Sequence, residues 1–264
     1  MRFKIPKFHI PGPVKTLIKL AISATIIALI LRKIDERLLL DVVREANPLW
    51  VAWALVWFIL SKVISAFRFN RLLFSERIHL TALQNLRLYW LCMYYNLLLP
   101  GGISGDGYKI KVLMEKFSRP LKRIVTITLL DRISGLIALG QLSVMVLLWI
   151  PEIQPYGWLI IPLLLLSLAL GYFIFRWAGI QDRAVWIRTS LQSIGVQGSQ
   201  AIATLGLVLA LGQSDHWPDY LILFLISSLV AMIPITIGGA GARELTFLYG
   251  SQFLDIHAEK AVAI

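Results

Sequence analysis

The sequence predicts an all-α, polytopic membrane bundle of about six to seven spanning helices, with one or two re-entrant segments broken by Gly and Pro. Three observations carry this. Of the 264 residues, 58% are hydrophobic and only 16% charged, with mean hydropathy +0.73, against roughly 45–50% apolar residues in a soluble domain. Apolar runs recur from residue 14 to residue 237, several of them near the roughly 20 residues needed to cross hydrocarbon. The loops between them fall into basic and Lys/Arg-free groups, the pattern that sets membrane orientation. Residues 1–264 therefore read as a single transmembrane domain, with no room for a soluble catalytic domain.

The elements follow in order. Arg2, Lys4, Lys7, Lys15 and Lys19 precede or open the run 14–31, and no small-residue cleavage site intervenes before Arg32 and Lys33, so this segment is a retained first helix. Further spans are expected at 49–67, 124–149, 157–177, 201–213 and 219–237. The fifth is long enough only if it starts near Ser193. Trp50, Trp53, Trp57, Trp149, Trp158, Trp177 and Trp217 fall mostly near run ends, as interfacial rings do. Lys62 and Arg68, near the end of the second run, have side chains long enough to snorkel to the interface. The stretch from Gln181 to Gln200 mixes Asp182, Arg183, Arg188, Gln192 and Gln197 with Trp186, Ile187, Leu191 and Ile194, and reads as an amphipathic surface helix or as a connecting loop.

Charge decides the topology of Leu83 to Pro100, a stretch containing Gln84, Asn85, Arg87 and Asn96. The basic segments are the N-terminus, Arg68–Arg77, Lys109–Arg123 and Arg176–Arg188, whereas Pro151–Tyr156 and Ser214–Pro218 contain no Lys or Arg. If 83–100 crossed, the most basic loop would lie outside; a dip that returns to the cytoplasmic face keeps every one of these segments inside. This places the N-terminus in the cytoplasm. The loop from Arg32 to Pro48 then lies outside, its four cations balanced by Asp35, Glu36, Asp41 and Glu45. The net charge of +11 reflects this cytoplasmic bias toward anionic lipid and predicts no nucleic-acid partner.

Two breaks stand out: Leu97–Asp106, containing Pro100, Gly101, Gly102 and Gly105, and Met232–Glu244, containing Pro234, Gly238, Gly239 and Gly241. Each follows an apolar run and closes with an acid beside a base, Asp106 with Lys109 and Arg243 with Glu244. Irregular backbone at membrane depth is tolerated only where protein or a polar cavity satisfies it, and paired breaks of this kind point to a transporter site. The plain alternative is two loops at helix ends. Asp131 and Arg132 fall inside the run 124–149, where each needs a partner from another segment; Asp106 and Glu244 are candidates for Arg132. Alternatively that helix starts near Leu129 and both residues lie at its cytoplasmic end.

Enzyme signatures are weak. His9, His79, His216 and His257 are isolated, Cys92 is the single cysteine, and no metal-ligand spacing occurs, so neither cofactor nor metal is expected. Gly101–Gly105 lacks the spacing of a nucleotide-binding loop, although its N–H groups suit an anion nest for a lipid phosphate.

At the two breaks the chain resembles the transmembrane, flippase-like domain of the lysylphosphatidylglycerol synthase family, in its stand-alone form without the cytosolic synthase domain. Pro100, Gly101, Gly102, Gly105 and Asp106 match a Pro-Gly-Gly-x-Gly-Gly-Asp-x-x-Arg motif, with Ser104 and Lys109 as departures. Pro234, Ile235, Gly238, Gly239, Gly241, Arg243 and Glu244 match a second motif, and Asp131, Arg132 and Gly135 a third. The resemblance implies a multi-pass protein of the inner (plasma) membrane that moves, or helps move, a charged phospholipid or polyprenyl-phosphate-linked lipid between leaflets in cell-envelope biogenesis, and no synthase activity. Relatives usually continue past Glu259–Ile264 into a further helix, so the chain is either truncated or able to dispense with it. Within this reading Gly101, Gly102 and Gly105 admit a head-group phosphate, Lys109, Arg132 and Arg243 balance its charge, and Asp106, Asp131 and Glu244 hold those cations or bind a cationic head group. Rival readings are a lipid-linked transferase with Asp106 or Glu244 as base, and a non-catalytic partner of an envelope lipid or polysaccharide synthase. The expected partners are an anionic phospholipid or lipid-linked substrate, a second copy in a homodimer, or that synthase.

Overall fold

The computed structural model describes residues 36–98, 104–117, 119–150, 154–232, 241–254 and 256–264. Among these, regular structure is entirely helical: α1 (Glu36–Glu45), α2 (Pro48–Ser75), α3 (Ala82–Leu98), α4 (Ser104–Lys116), α5 (Leu121–Val146), α6 (Ile160–Trp177), α7 (Arg183–Ala210), α8 (Trp217–Ala231), α9 (Ala242–Phe253) and α10 (Ala258–Ala263). Short 3-10 turns extend α5 to Trp149 and lead into α6 from Gln154. The protein is a helical membrane bundle.

Four helical stretches are long and apolar enough to cross a membrane: Pro48–Ser75, Leu121–Trp149, Gln154–Trp177 and Arg183–Ala210. The predicted run 14–31 lies outside the described residues, and α8, with 15 residues, falls short of membrane length as described. The fifth predicted span is corrected upward. Residues 181–200 are neither a surface helix nor a loop but the first part of α7, continuous with 201–210. Asp182, Arg183 and Arg188 stay exposed at its start, but its later glutamines turn inward: Gln197 Nε2 donates to the Gly135 carbonyl (3.1 Å) and Gln192 Oε1 accepts from Arg71 Nε (3.1 Å). Partners inside the bundle replace the water that amphipathicity would have required.

α2 and α7 form the central antiparallel seam. Asn47 N–H donates to the Ala210 carbonyl at one end (2.9 Å), and Arg71 meets Gln192 at the other. Small residues let the backbones close up, as in other membrane helix pairs: Ala54 and Trp53 crowd Gly206, and Ile64 rests on Gly195. Both helices start on side-chain caps, Asn47 accepting from Leu49 N–H (3.0 Å) and Asp182 from Ala184 N–H (2.8 Å). α6 leans on α5 through Gln141 and Ser167 (2.8 Å) and exposes Ile161, Leu165, Leu166 and Phe173, a lipid-facing surface.

Contacts at helix ends define two faces. Glu76, just past α2, pairs with Arg123 at the start of α5 (3.6 Å), and Arg123 also donates to the Ala178 carbonyl past α6 (3.2 Å). This face gathers Arg77, Arg119, Lys122, Arg176 and Arg183. The opposite face joins Asn47 to Ala210 and sets Trp149 edge-on to Trp217 (5.5 Å between rings), with the Lys/Arg-free segment Ser214–Pro218 beside them.

α3 and α4 pack on each other as a hairpin with both outer ends at the basic face. Asn70, near the end of α2, donates to the Leu80 carbonyl just before α3 (3.5 Å), and Lys116 closes α4 four residues before Pro120. At the inner end Gly105 N–H donates to Asn96 Oδ1 (2.8 Å). A Cβ on Gly105 would overlap the Cys92 carbonyl oxygen, so the two helices meet there backbone to backbone.

Candidate functional site

Between α2, α3, α4, α5 and α7 lies a cavity of about 230 Å³ whose lining includes Lys62, Arg68, Asp106, Lys109, Asp131 and Arg132. Charge at this depth is costly unless it is paired, and the pairing is specific. Arg68 Nε donates to Asp131 Oδ1 (2.8 Å) and its Nη1 to Ser193 Oγ (3.0 Å), joining α2, α5 and α7 through groups that are almost wholly buried. Gly135 makes this possible: a Cβ there would stand 3.3 Å from the Arg68 guanidinium. The third motif thus has a physical reading, an acid and, one turn on, the space for its partner's side chain.

Asp106, in the first turn of α4, takes Arg132 of α5 on one oxygen and Lys109 on the other (3.6 Å). Lys109 is 3% exposed and sandwiched between the rings of Phe69 (4.1 Å to the centroid) and Tyr89 (4.7 Å). α5 begins at Leu121, so Asp131 and Arg132 lie well inside it rather than at its end. Each is paired with another segment, Arg132 with Asp106 rather than Glu244.

The second break enters differently. Gly241 holds φ +85°, a conformation natural to glycine, at the start of α9, and its N–H donates to Glu244 Oε2 (2.7 Å). Glu244 therefore caps its own helix instead of holding Arg243. Arg243 and Glu244 line a second cavity, about 500 Å³, walled largely by apolar side chains of α2, α7, α8, α9 and α10. Lys62 and Gln200 line both cavities.

Of the predicted site residues, Asp106, Lys109, Asp131 and Arg132 come together around the first cavity, while Arg243 and Glu244 line the second. Pro100, Gly101, Gly102, Pro234, Gly238 and Gly239 lie outside the described residues. Two roles change. Gly105 spends its N–H on Asn96 and its missing Cβ on Cys92, so close helix packing, not phosphate approach, explains it. Lys109 is committed to Asp106 and two rings. Lys62, Arg68, Tyr89, Ser193, Gln197 and Gln200 were not expected at the site. The signal for them was a polar stripe at helical spacing, Ser61, Ser65 and Arg68 on α2 against Thr189, Ser193, Gln197 and Gln200 on α7. Lys62 does not snorkel: it lies mid-helix, about 21 Å from Pro48 and about 20 Å from Ser75 at the α-helical rise.

Fold and site define a multi-pass helical membrane protein with an ion-paired chamber inside the bundle. The chain belongs to the family described as Lysylphosphatidylglycerol synthase TM region, whose model matches residues 16–264. Comparison with curated proteins finds no match. Family membership gives the protein a lipid- and envelope-related function in the membrane.

Proposed function

We propose that this protein is a flippase-like translocase of the inner (plasma) membrane that moves a charged phospholipid or polyprenyl-phosphate-linked lipid between leaflets. The observation that carries this reading is the charged chamber itself. Asp106–Arg132 and Asp131–Arg68 hold four charges within a bundle of membrane-length helices, and intramembrane charge of this kind marks a polar substrate path. The α3–α4 hairpin closes one side of the chamber with Tyr89, Met93, Asn96 and Lys109, and its Asp106 pairs across to Arg132 of α5. In this reading the hairpin is re-entrant and the contact joins it to a spanning helix, a broken segment at membrane depth being where a transporter site is built.

The carboxylates suit translocation better than group transfer. A general base must be free to take a proton, and Asp106 is engaged by Arg132 and Lys109 while Glu244 caps α9. The test is transbilayer movement of labelled anionic, zwitterionic and polyprenyl-phosphate lipids in liposomes reconstituted with the protein, beside Asp106→Ala and Arg243→Ala. Head-group-selective movement that falls to the protein-free rate in both variants is the expected result. Absence of movement for every lipid with folded wild-type protein sinks the reading and favours an assembly partner of an envelope synthase.

A further inference from the structure

We infer that Lys62, with Arg243 beside it, binds the phosphate of an anionic lipid at the crossing point of the bundle, the lipid's hydrocarbon lying in the cavity between α2, α7, α9 and α10. This rests on the translocase reading and assigns its phosphate contact.

The argument starts from which cations are already satisfied. Arg68 is held by Asp131, and Arg132 and Lys109 are held by Asp106; a phosphate at any of them must displace a carboxylate. Among the described residues Lys62 and Arg243 form no ion pair, and Glu244, the acid nearest in sequence to Arg243, is turned to the Gly241 N–H. Two cations and one carboxylate thus line one cavity, a net positive charge, Lys62 with its ammonium 4.6 Å from the centre of the Phe58 ring and the carboxylate of Glu244 engaged by a backbone N–H. Uncompensated charge at mid-depth is expensive, and an anion that arrives with the substrate offsets it.

The surroundings select a lipid over a free anion. Beyond the polar end formed by Lys62, Gln200, Thr204, Arg243 and Glu244, the second cavity is walled by Leu55, Phe58, Leu207, Phe224, Phe247 and Val262, hydrocarbon against hydrocarbon. The polar cavity runs along α2 from Lys62 toward the basic face, through Ser65 and Arg68, and the apolar one from Lys62 toward the opposite face, through Phe58, Leu55 and Val51. An amphiphile with its phosphate at Lys62 has polar room on one side and a chain-sized apolar groove on the other.

The experiment measures binding of phosphatidylglycerol, of diacylglycerol and of inorganic phosphate to the full chain by native mass spectrometry. Lys62→Gln is expected to weaken phosphatidylglycerol binding about tenfold or more and leave diacylglycerol unchanged. Arg243→Gln should act in the same direction, and Lys62→Arg, which keeps the charge, should retain binding and serves as the folded control if the glutamine variant does not fold. Leu207→Trp, which fills the groove, should weaken both lipids. Wild-type phosphatidylglycerol affinity in Lys62→Gln and Arg243→Gln overturns the inference. So does displacement of phosphatidylglycerol by inorganic phosphate at equal concentration, which assigns the site to a soluble anion. If Lys62-dependent binding holds but no lipid crosses in liposomes, the translocase reading falls and the phosphate site stands; if Asp106-dependent transport holds without it, only the site assignment falls.

Discussion

Arg68 and Asp131 bind three helices with one ion pair and one hydroxyl, and their weight in the fold comes from what remains if either is removed. A buried charge left alone is far more costly than the pair is favourable. Asp131→Asn and Arg68→Gln should each lower stability by about 3 kcal/mol, while the double variant should lose less than the sum. Thermal unfolding in detergent checks this, and additive losses would mean that the two side chains do not act as a unit. Gly135 belongs to the same construction, because the guanidinium occupies the space that any larger residue would need.

At this scale the sequence was legible in part. That Asp131 and Arg132 need partners from elsewhere follows from their place in an apolar run, and Asp106 was correctly among the candidates for Arg132. Lys62 and Arg68 were read as snorkelling because a single helix cannot show what lies across from it. Ser193 and Asp131 stand opposite Arg68 only once α2, α5 and α7 are assembled.

Among the elements, the α3–α4 hairpin depends on one missing methyl group. Gly105→Ala would drive a Cβ into the Cys92 carbonyl, an atom of helix backbone that cannot rotate away, so α3 and α4 must part. Overpacking of this kind costs about 1–3 kcal/mol. Cys92 is 2% exposed and is the chain's single cysteine, so it reports the separation directly. Maleimide labelling of Cys92 should be slow in the wild type and fast in Gly105→Ala; equal rates would remove the hairpin contact as the reason for this glycine. Helix lengths show where the sequence misleads. The apolar run 49–67 under-reads α2, which continues to Ser75 because Arg68 and Arg71 find partners in α5 and α7 instead of water. For the same reason α7 begins some 18 residues before its apolar run.

For the whole molecule, the two faces fix an orientation that chemistry can test. By the bias of Lys and Arg toward cytoplasmic loops, the gathering of Arg77, Arg119, Lys122, Arg176 and Arg183 at one face predicts that this face is cytoplasmic. In a Cys92→Ala background, cysteines replacing Lys116 or Arg183 should react only with a reagent supplied from the cytoplasm, and one replacing Asp215 only with a reagent supplied from outside. The reverse pattern would invert the bundle, and labelling of Lys116→Cys from outside would mean that the hairpin crosses. The basic and Lys/Arg-free loops were fully legible in the sequence, since their composition alone carries the signal. The two cavities were not, because each needs side chains from several helices far apart in the chain.

The α2–α7 seam has a mechanical consequence. Its ends are tied by Asn47 to Ala210 and by Arg71 to Gln192, and between them the backbones are drawn together by residues too small to slide past one another freely. Such a pair behaves as a stiff post. The hairpin is fastened to α5 through Asp106 and Arg132, and to α2 through Asn85 on the Ala66 carbonyl and Lys109 on the Phe69 ring. Hairpin and post share one apolar core through Leu88, Cys92 and Leu113 against Leu72 and Leu73, so any movement of the hairpin must uncover hydrocarbon as well as part the Asp106–Arg132 pair.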